Sequence, residues 1–500
     1  MLIVTSTAQA TNHGVYGIER QPPAVIRPVG TAVDAIVDAF PWGPDAAVYT
    51  CLDPADFANK FAPPGMSRTG GGYMAVAAKA YPILKVVRAI GTAAVAATSA
   101  INKTGPLLLI TVTLKYKGAA GNSCTATTSA ASDGDANHFN LAVSVTGASG
   151  TTTDTFQNLN YSAVGTVSAP DFSKCFLVGG IAAATTGVPI IGTTSFSTGS
   201  DGTIDSTAYV GTQGTGDKGI ALFEGNKTID FVFTGDPGNT LRAAVNAGLA
   251  AHADYMTDRM AFINGNSGMT LAAAQADVAS YRSLRVCYQD NWAYQRDDVD
   301  GTQRLTPPSP FAVSVASNLS PSTSFSWKAQ DAQQFMRAIV SLETARGPGG
   351  AYTNEAQGIN TLQAEDGGGF TFECAVVTAA PTNPSKRKYK RTRMTHYIVK
   401  SCASSLRPYI DSPNVPFNQG DEVAAVSEFL DQLKRNATTN PNALPHIVDF
   451  KFRDLKTYNS AVDLANDQFT IPADIQISSD QARIFLSLQV GETVNPSAAL

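Results

Sequence analysis

Between two stretches where strand-like and helix-like runs alternate lies a long segment, residues 92–200, with almost no helical pattern. It is rich in Thr, Ser, Ala and Gly and carries the β-prone runs Leu107–Tyr116 and Phe139–Val145. Turn residues such as Gly121-Asn122 and Asp133-Gly134-Asp135 punctuate it. Branched side chains of this kind suit a pleated, half-buried surface. The segment is therefore expected to be a small β domain set into another fold. At 500 residues the chain exceeds what one hydrophobic core organises, and about two to four domains are expected.

The flanking stretches read differently. Residues 1–20 lack core-forming periodicity and read as an arm which, fully extended, would reach roughly 65–70 Å. Residues 24–40 read as strand. Asp53 to Phe61 reads as a short helix with Asp53 as N-cap and Pro54 in the first turn. After Gly70-Gly71-Gly72 a helix is expected over Tyr73–Tyr81, then a buried strand from Ile83 to Ile90 in which Lys85 and Arg88 are the exceptions. Beyond residue 200 the strands Thr228–Phe233, Met260–Ile263 and Leu284–Tyr288 alternate with helices over Asn239–Thr257 and Leu271–Leu284. Such alternation predicts an α/β layer with a mostly parallel sheet. Gln330–Arg346 reads as an amphipathic helix with Phe335, Ile339 and Leu342 on one face. Near the C-terminus, helices are expected over Met394–Leu406 and Glu422–Lys434. Strands are expected over Ile447–Phe452, Phe469–Ile477 and Arg483–Val490, the last two joined at Ser478-Ser479-Asp480.

The fold class expected is α/β plus β. An α/β core would occupy 21–91 and 201–350, a β domain 92–200, and an α+β C-terminal domain 351–500, with strand arms at both chain ends.

Catalytic and ligand-binding patterns are missing. His13, His138, His252, His396 and His446 are widely spaced, without HExxH or i, i+4 pairing. Cys51, Cys124, Cys175, Cys287, Cys374 and Cys402 form no CxxC and read as small apolar side chains in a reducing compartment. There is no GxxxxGK[ST] and no GxSxG. Gly211-Thr212-Gln213-Gly214-Thr215-Gly216 lacks the phosphate-binding lysine and reads as a loop, and Asp297-Asp298 with Asp300-Gly301 lacks the closing Glu of a calcium loop. No catalytic residue, metal or cofactor is expected. The N-terminus has no basic stretch before its short apolar run, so no signal peptide is expected. The longest apolar stretch, Leu107 to Val112, is far below a membrane span. Charged residues make up 15% and the net charge is −5; a sparsely charged surface hints at assembly, and the sign argues against nucleic acid.

One run departs from this: Lys386, Arg387, Lys388, Lys390, Arg391 and Arg393 lie within eight residues. It reads as a solvated basic loop entering a helix at Met394 or as a docking patch for an acidic protein surface. Nucleic-acid binding lacks a second patch or stacking aromatics.

The order of these features resembles contractile tail sheath proteins of bacteriophages and related injection machines. The resemblance rests on His13-Gly14-Val15-Tyr16-Gly17-Ile18-Glu19, Val29-Gly30-Thr31-Ala32-Val33 and Pro41-Trp42-Gly43-Pro44. It continues through Asp56-Phe57 with Phe61, Val86-Val87-Arg88 and Gly199-Ser200-Asp201-Gly202. Asp236-Pro237-Gly238, Arg259 with Ala261-Phe262-Ile263, Pro307-Pro308-Ser309 and the C-terminal strands complete it.

The resemblance implies a structural subunit and no enzyme: rings stacked around an inner tube that contract by rigid-body rearrangement to drive the tube through a host envelope. It implies self-association and contacts with the inner tube, baseplate and tail terminator proteins. The setting implied is a virion tail assembled in a bacterial cytoplasm, with neither nucleic-acid binding nor membrane insertion. Val15, Tyr16 and Ile18, together with Ile484, Leu486, Leu488 and Val490, would form inter-subunit strands. Lys386, Arg387, Lys388, Lys390, Arg391 and Arg393 would face the tube, and the β domain would face outward. Rival readings are a noncontractile virion or surface-layer protein and an α/β hydrolase whose nucleophile and base have no place in the sequence.

Overall fold

The computed structural model describes residues 2–4, 16–18, 26, 33–61, 63–66, 81–103, 107–160, 171–297, 301–326, 336, 339–346, 354–365, 368–380, 382, 387–410, 415–439, 446–466 and 468–477. The chain divides into two compact units, Met1–Val426 and Ser427–Leu500.

In the first unit, β1 (Leu2–Val4) pairs in parallel with β2 (Tyr16–Ile18). Strand β3 (Val33–Asp38) leads to β4 (Tyr49–Cys51), helix α1 (Pro54–Phe61) and β5 (Ile83–Arg88). Asp53 caps α1 by accepting from the Asp56 amide at 2.7 Å, which satisfies one of the orphan donors of a helix N-terminus. Phe57 and Phe61, one turn apart, stack at 5.4 Å and bury against Phe40. The helix expected over Tyr73–Tyr81 falls almost wholly outside the described residues; Tyr81 itself is not helical.

A β-rich segment follows. Strands β6 (Ala96–Asn102), β7 (Leu108–Lys117), β8 (Thr125–Ala130), β9 (His138–Gly147), β10 (Gly150–Asn160), β11 (Val178–Ala183) and β12 (Gly192–Ser195) build two sheets. Their orders are β10-β9-β8-β12 and β11-β7-β6. Every pairing is antiparallel. Alternate residues such as Leu141, Val143 and Val145 of β9, and Val112 and Leu114 of β7, share one core.

Past the short helix α2 (Ser206–Val210), alternation resumes. Strand β13 (Phe231–Thr234), helix α3 (Asn239–Met256), β14 (Met260–Asn264), α4 (Leu271–Val278) and β15 (Val286–Asp290) build the centre of the large sheet. Helix α4 ends earlier than the Leu284 expected from the sequence. A 3₁₀ turn, Ala279–Tyr281, closes it and Arg282 is already extended. Strands β16 (Ala293–Arg296) and β17 (Gln303–Thr306) form a hairpin, followed by α5 (Ser309–Asn318).

The amphipathic helix expected over Gln330–Arg346 is not what forms at its C-terminal half. Ile339–Leu342 is strand β18, antiparallel to β16. The spacing of Ile339 and Leu342 fits a helix, but Ile-Val is a strand-forming pair and a partner strand stands ready. That ladder, more than forty positions distant in the chain, overrides a local period. Strands β19 (Ile359–Ala364) and β20 (Phe370–Phe372) and helix α6 (Tyr389–Leu406) follow.

The large sheet has eight strands in the order β20-β19-β15-β14-β13-β3-β5-β4. The six from β19 to β5 run parallel and the two edge strands antiparallel. A parallel sheet needs both faces covered, so its strands read as continuous apolar runs. On one face Val37, Val232, Ala261 and Tyr288 pack against Val245 and Leu249 of α3 and Val278 of α4. On the other Ile36, Phe231 and Phe262 pack against Phe311 and Val315 of α5 and Tyr389 of α6.

Helix α7 (Pro416–Thr439) spans the division between the units. Within the second unit, β21 (Ile447–Phe452) pairs antiparallel with β22 (Ala473–Ile477), across the short helices α8 (Leu455–Tyr458) and α9 (Ala461–Ala465). A capping box between Ser460 and Asp463 starts α9. The strand expected over Arg483–Val490 lies outside the described residues.

Candidate assembly surfaces

The basic run does not precede its helix as a loop; the helix begins inside it, at Tyr389. Tyr389 is fully buried among Phe231, Phe262 and Phe325, with ring centroids 4.9–6.3 Å away. That anchor fixes the rotation of α6 and sorts the cations.

Arg393, one turn on, is 5% exposed. Its guanidinium lies 5.2 Å from the Phe231 ring and donates to the Leu319 and Ser320 carbonyls at 2.9 and 3.3 Å. It thereby satisfies backbone groups at the C-terminal end of α5. Lys390 is also buried, 4% exposed. Lys388 pairs with Glu355 at 2.7 Å, and Arg387 donates to the Glu355 and Ala356 carbonyls. Arg387, Lys388 and Arg391 are half-buried; Lys386 lies outside the described residues. Part of the run therefore holds the fold, and only part reaches solvent.

Beside Arg391 runs a groove of about 410 Å³ whose lining includes Leu284, Arg285, His396, Val399 and Lys400. Leu284 and Val399 are 41% and 58% exposed. Lys400 bonds Asp230 at 2.8 Å and the Ile229 carbonyl at 2.6 Å, and Arg285 donates to the Thr257 carbonyl and sits 3.7 Å from Asp254. Burial, then Lys400 and Arg285, push His396 down to about 4, so it is neutral at pH 7.

Open α/β sheets bind ligands outside the carboxyl ends of their strands, where the strand order reverses. Here the reversal falls between β3 and β13. The chain's own side chains occupy that edge. Arg242, 2% exposed, donates to the Asp236 carboxylate at 2.5 Å, to Asn239 at 2.9 Å and to the Gly265 carbonyl at 3.2 Å. It stacks 4.5 Å from the Trp292 ring, whose Nε1 donates to the same Gly265 carbonyl at 2.9 Å. Asp38, at the end of β3, is pushed up to about 7 by burial.

The glycine-rich loop is occupied in the same way. The Gly214 amide donates to the Glu224 carboxylate at 3.0 Å and the Thr212 amide to Asp217 at 2.9 Å. Among the described residues no group of three or more His, Cys, Asp or Glu is placed to hold a metal ion, and no helix is long and apolar enough to cross a membrane. All six cysteines are free thiols, buried at Cys51, Cys124, Cys287 and Cys374 and half-buried at Cys175 and Cys402. Burial pushes Cys51, Cys124 and Cys374 up to about 12 and Cys402 to about 11.

The second unit offers a different surface. Among the described residues its β21–β22 sheet has two strands, most of whose residues are exposed or half-buried. Arg453 binds Asp474 through two bonds of 2.6 and 2.8 Å at one end. Two strands are marginal by themselves, and among the described residues each has a ladder partner on one edge alone. Of the residues expected to form arms, Tyr16 and Ile18 lie in β2. Val15, Ile484, Leu486, Leu488 and Val490 lie outside the described residues.

The large sheet with its helices, the β-rich segment and the C-terminal unit together give the fold of contractile sheath tail proteins. The sheath tail protein of Desulfitobacterium hafniense matches 88% of this chain over 93% of its own, with a TM-score of 0.60 and 16% identity. That of Listeria innocua matches 87% over 90%, at 0.56 and 13%. The helical sheath of the anti-feeding prophage, in its contracted state, matches 98% over 100%, at 0.56 and 12%. No protein-family model matches the sequence, and no curated protein sequence matches it.

No periodicity along the chain marks α5, and sequence reasoning sets no role on Arg88 or Trp42. Helix α5 is buried from Ser309 to Ser317, so it carries no amphipathic period to detect. Arg88 did carry a signal, as a cation inside an apolar strand.

Proposed function

We propose that this chain is the structural subunit of a contractile tail sheath. Such a subunit polymerises as stacked rings around an inner tube and contracts by rigid-body rearrangement to drive the tube through a host envelope. The observation that carries this reading is the end-to-end likeness to a helical sheath, 98% of this chain on 100% of that one. The occupied sheet edge around Arg242 supports a structural role over a catalytic one. The partners are other copies of the chain, the inner tube, and the baseplate and tail terminator proteins; nucleic acid and membrane insertion have no part. The setting is a virion tail, assembled in a bacterial cytoplasm.

In this reading residues 1–20 are an arm. The α/β core occupies 21–91 and 201–350, the β segment 92–200 faces outward, and 351–500 carries the C-terminal sheath domain. The arm (Val15, Tyr16, Ile18) and the last strand (Ile484, Leu486, Leu488, Val490) add to the open edges of β21–β22 in neighbouring subunits. Main-chain bonds across such an edge survive any rigid-body sliding of the faces. The tube-facing patch is the solvent side of the basic run, Lys386, Arg387, Lys388 and Arg391, with Lys390 and Arg393 holding the helix that presents it.

Negative-stain electron microscopy of the concentrated, purified chain tests this. Cogwheel-ringed tubes or hollow polymers are expected, and loss of residues 1–20 should leave soluble monomers. Normal tubes from the truncated chain would overturn the arm assignment. Globular particles at every concentration, even with tube and baseplate proteins added, would overturn the sheath reading.

A further inference from the structure

The β-rich segment is joined to the large sheet by more than its two connecting strands. Trp42 lies just beyond β3, yet its side chain is fully buried in the core of the β-rich segment, 5.4 Å from the Tyr116 ring and edge-on to it. Met66, beyond α1, is buried in the same core. Around it the Gly65 amide donates to Ser149 Oγ at 2.7 Å, and Thr152 Oγ1 donates to the Pro64 carbonyl at 2.7 Å.

At the second seam stands Arg88, the last residue of β5, with a side chain 1% exposed. Its Nε donates to the Phe40 carbonyl at 2.7 Å and Nη2 to the Pro41 carbonyl at 3.1 Å. Nη1 reaches the carbonyls of Gly43 at 3.1 Å and of Lys117, on β7, at 2.7 Å. Nη2 also sits 3.4 Å from the Asp201 carboxylate, where the chain returns from the β-rich segment. Gly118 leaves this guanidinium its room: at φ +132°, a Cβ there would lie 2.7 Å from Arg88 Nη2. Outside, Lys117 pairs with Asp45 at 2.8 Å.

We propose that the β-rich segment and the parallel sheet form one rigid, cooperatively folding body, with Arg88 as its lock. Modules within a chain move relative to one another by default unless a large apolar interface joins them. Swinging this one away would draw Trp42 and Met66 from its core. It would also take from a buried guanidinium its bonds to the Lys117 carbonyl and Asp201, and leaving part of a buried charged group unbonded is costly. A force applied to the outer strands would therefore pass directly into the sheet through residues 40–45 and Arg88, without first turning a hinge. This holds whatever the chain assembles with.

Amide hydrogen exchange on the full chain, followed as denaturant is raised, tests it. The slowest amides of β7 and β9, such as Val112 and Val143, should share one opening free energy and one denaturant slope with those of β13 and β14, such as Val232 and Phe262. A separate opening of the β-rich amides, with a smaller slope, would overturn the proposal. Arg88→Met should speed exchange in β7 and β9 at least tenfold relative to β13 and β14, and equal acceleration would remove Arg88 as the lock. If that variant does not fold, Gly118→Ala, which crowds the same guanidinium, is expected to give the same split in milder form.

Discussion

The eight-stranded sheet and the β21–β22 pair are opposite solutions to one problem. Every strand carries backbone donors and acceptors along both edges and side chains on both faces. The large sheet resolves most of these within its own chain. Its faces are covered by α3 and α4 on one side and by α5 and α6 on the other, and its edges are reduced to the two three-residue strands β20 and β4. Among the described residues the two-stranded sheet has no strand on either edge and leaves much of its side-chain surface exposed or half-buried. The difference teaches that covered faces make a sheet self-sufficient, whereas two exposed strands gain little from their own chain.

If that contrast is right, substitutions in the large sheet should be expensive and substitutions around β21–β22 cheap for the isolated chain. The largest effect is expected at Tyr389. Tyr389→Ala removes the aromatic wedge between α6 and the sheet and should destabilise by about 3–5 kcal/mol in denaturant unfolding. A loss below about 1 kcal/mol would mean that α6 is not held by its buried face.

Asp38 gives the next effect, with the opposite sign. Its folded carboxyl titrates near 7, raised from 3.8 chiefly by burial, with Asp236 adding to the rise. A raised carboxyl favours the fold fully below about pH 4, and that contribution is lost as pH climbs to about 7. Asp38→Asn, whose amide carries no charge to desolvate, should flatten this dependence. Relative to the parent, the variant should gain stability between pH 4 and pH 8, by at most about 4 kcal/mol. A pH-independent difference between the two would refute it.

Arg393→Met should cost about 1–3 kcal/mol by leaving the carbonyls at the end of α5 unbonded, and Arg393→Lys should recover only part of this, since one ammonium cannot replace the planar fork. The smallest effect belongs to the open sheet. Arg453 and Asp474 are both exposed, so Arg453→Met should leave the thermal midpoint of the isolated chain unchanged. A clear drop would show that the two-stranded sheet matters to the chain alone and would weaken the contrast.

Much of the large sheet was legible because its determinants are local. Asp53 announces the start of α1, and Phe57 and Phe61 its buried face. The apolar runs at Phe231, Met260 and Val286 announce strands covered on both sides. What was not legible depends on partners distant in the chain. Ile339–Leu342 becomes a strand because β16 is beside it, and α5 is invisible to periodicity because every side of it is buried. The basic run was legible as charge but not as geometry. Nothing in six cations within eight residues says that Tyr389 will turn two of them inward, and that sorting separates the buried cations from the half-buried ones.

The thiols carry a last consequence. A disulfide or a sulfenic acid begins from thiolate, and a group titrating near 12 is ionised to only about one part in 10⁵ at pH 7. Cys51, Cys124 and Cys374 are thereby poor starting points for oxidation, and the half-buried Cys175 and Cys402 are the thiols that oxidising surroundings would reach first.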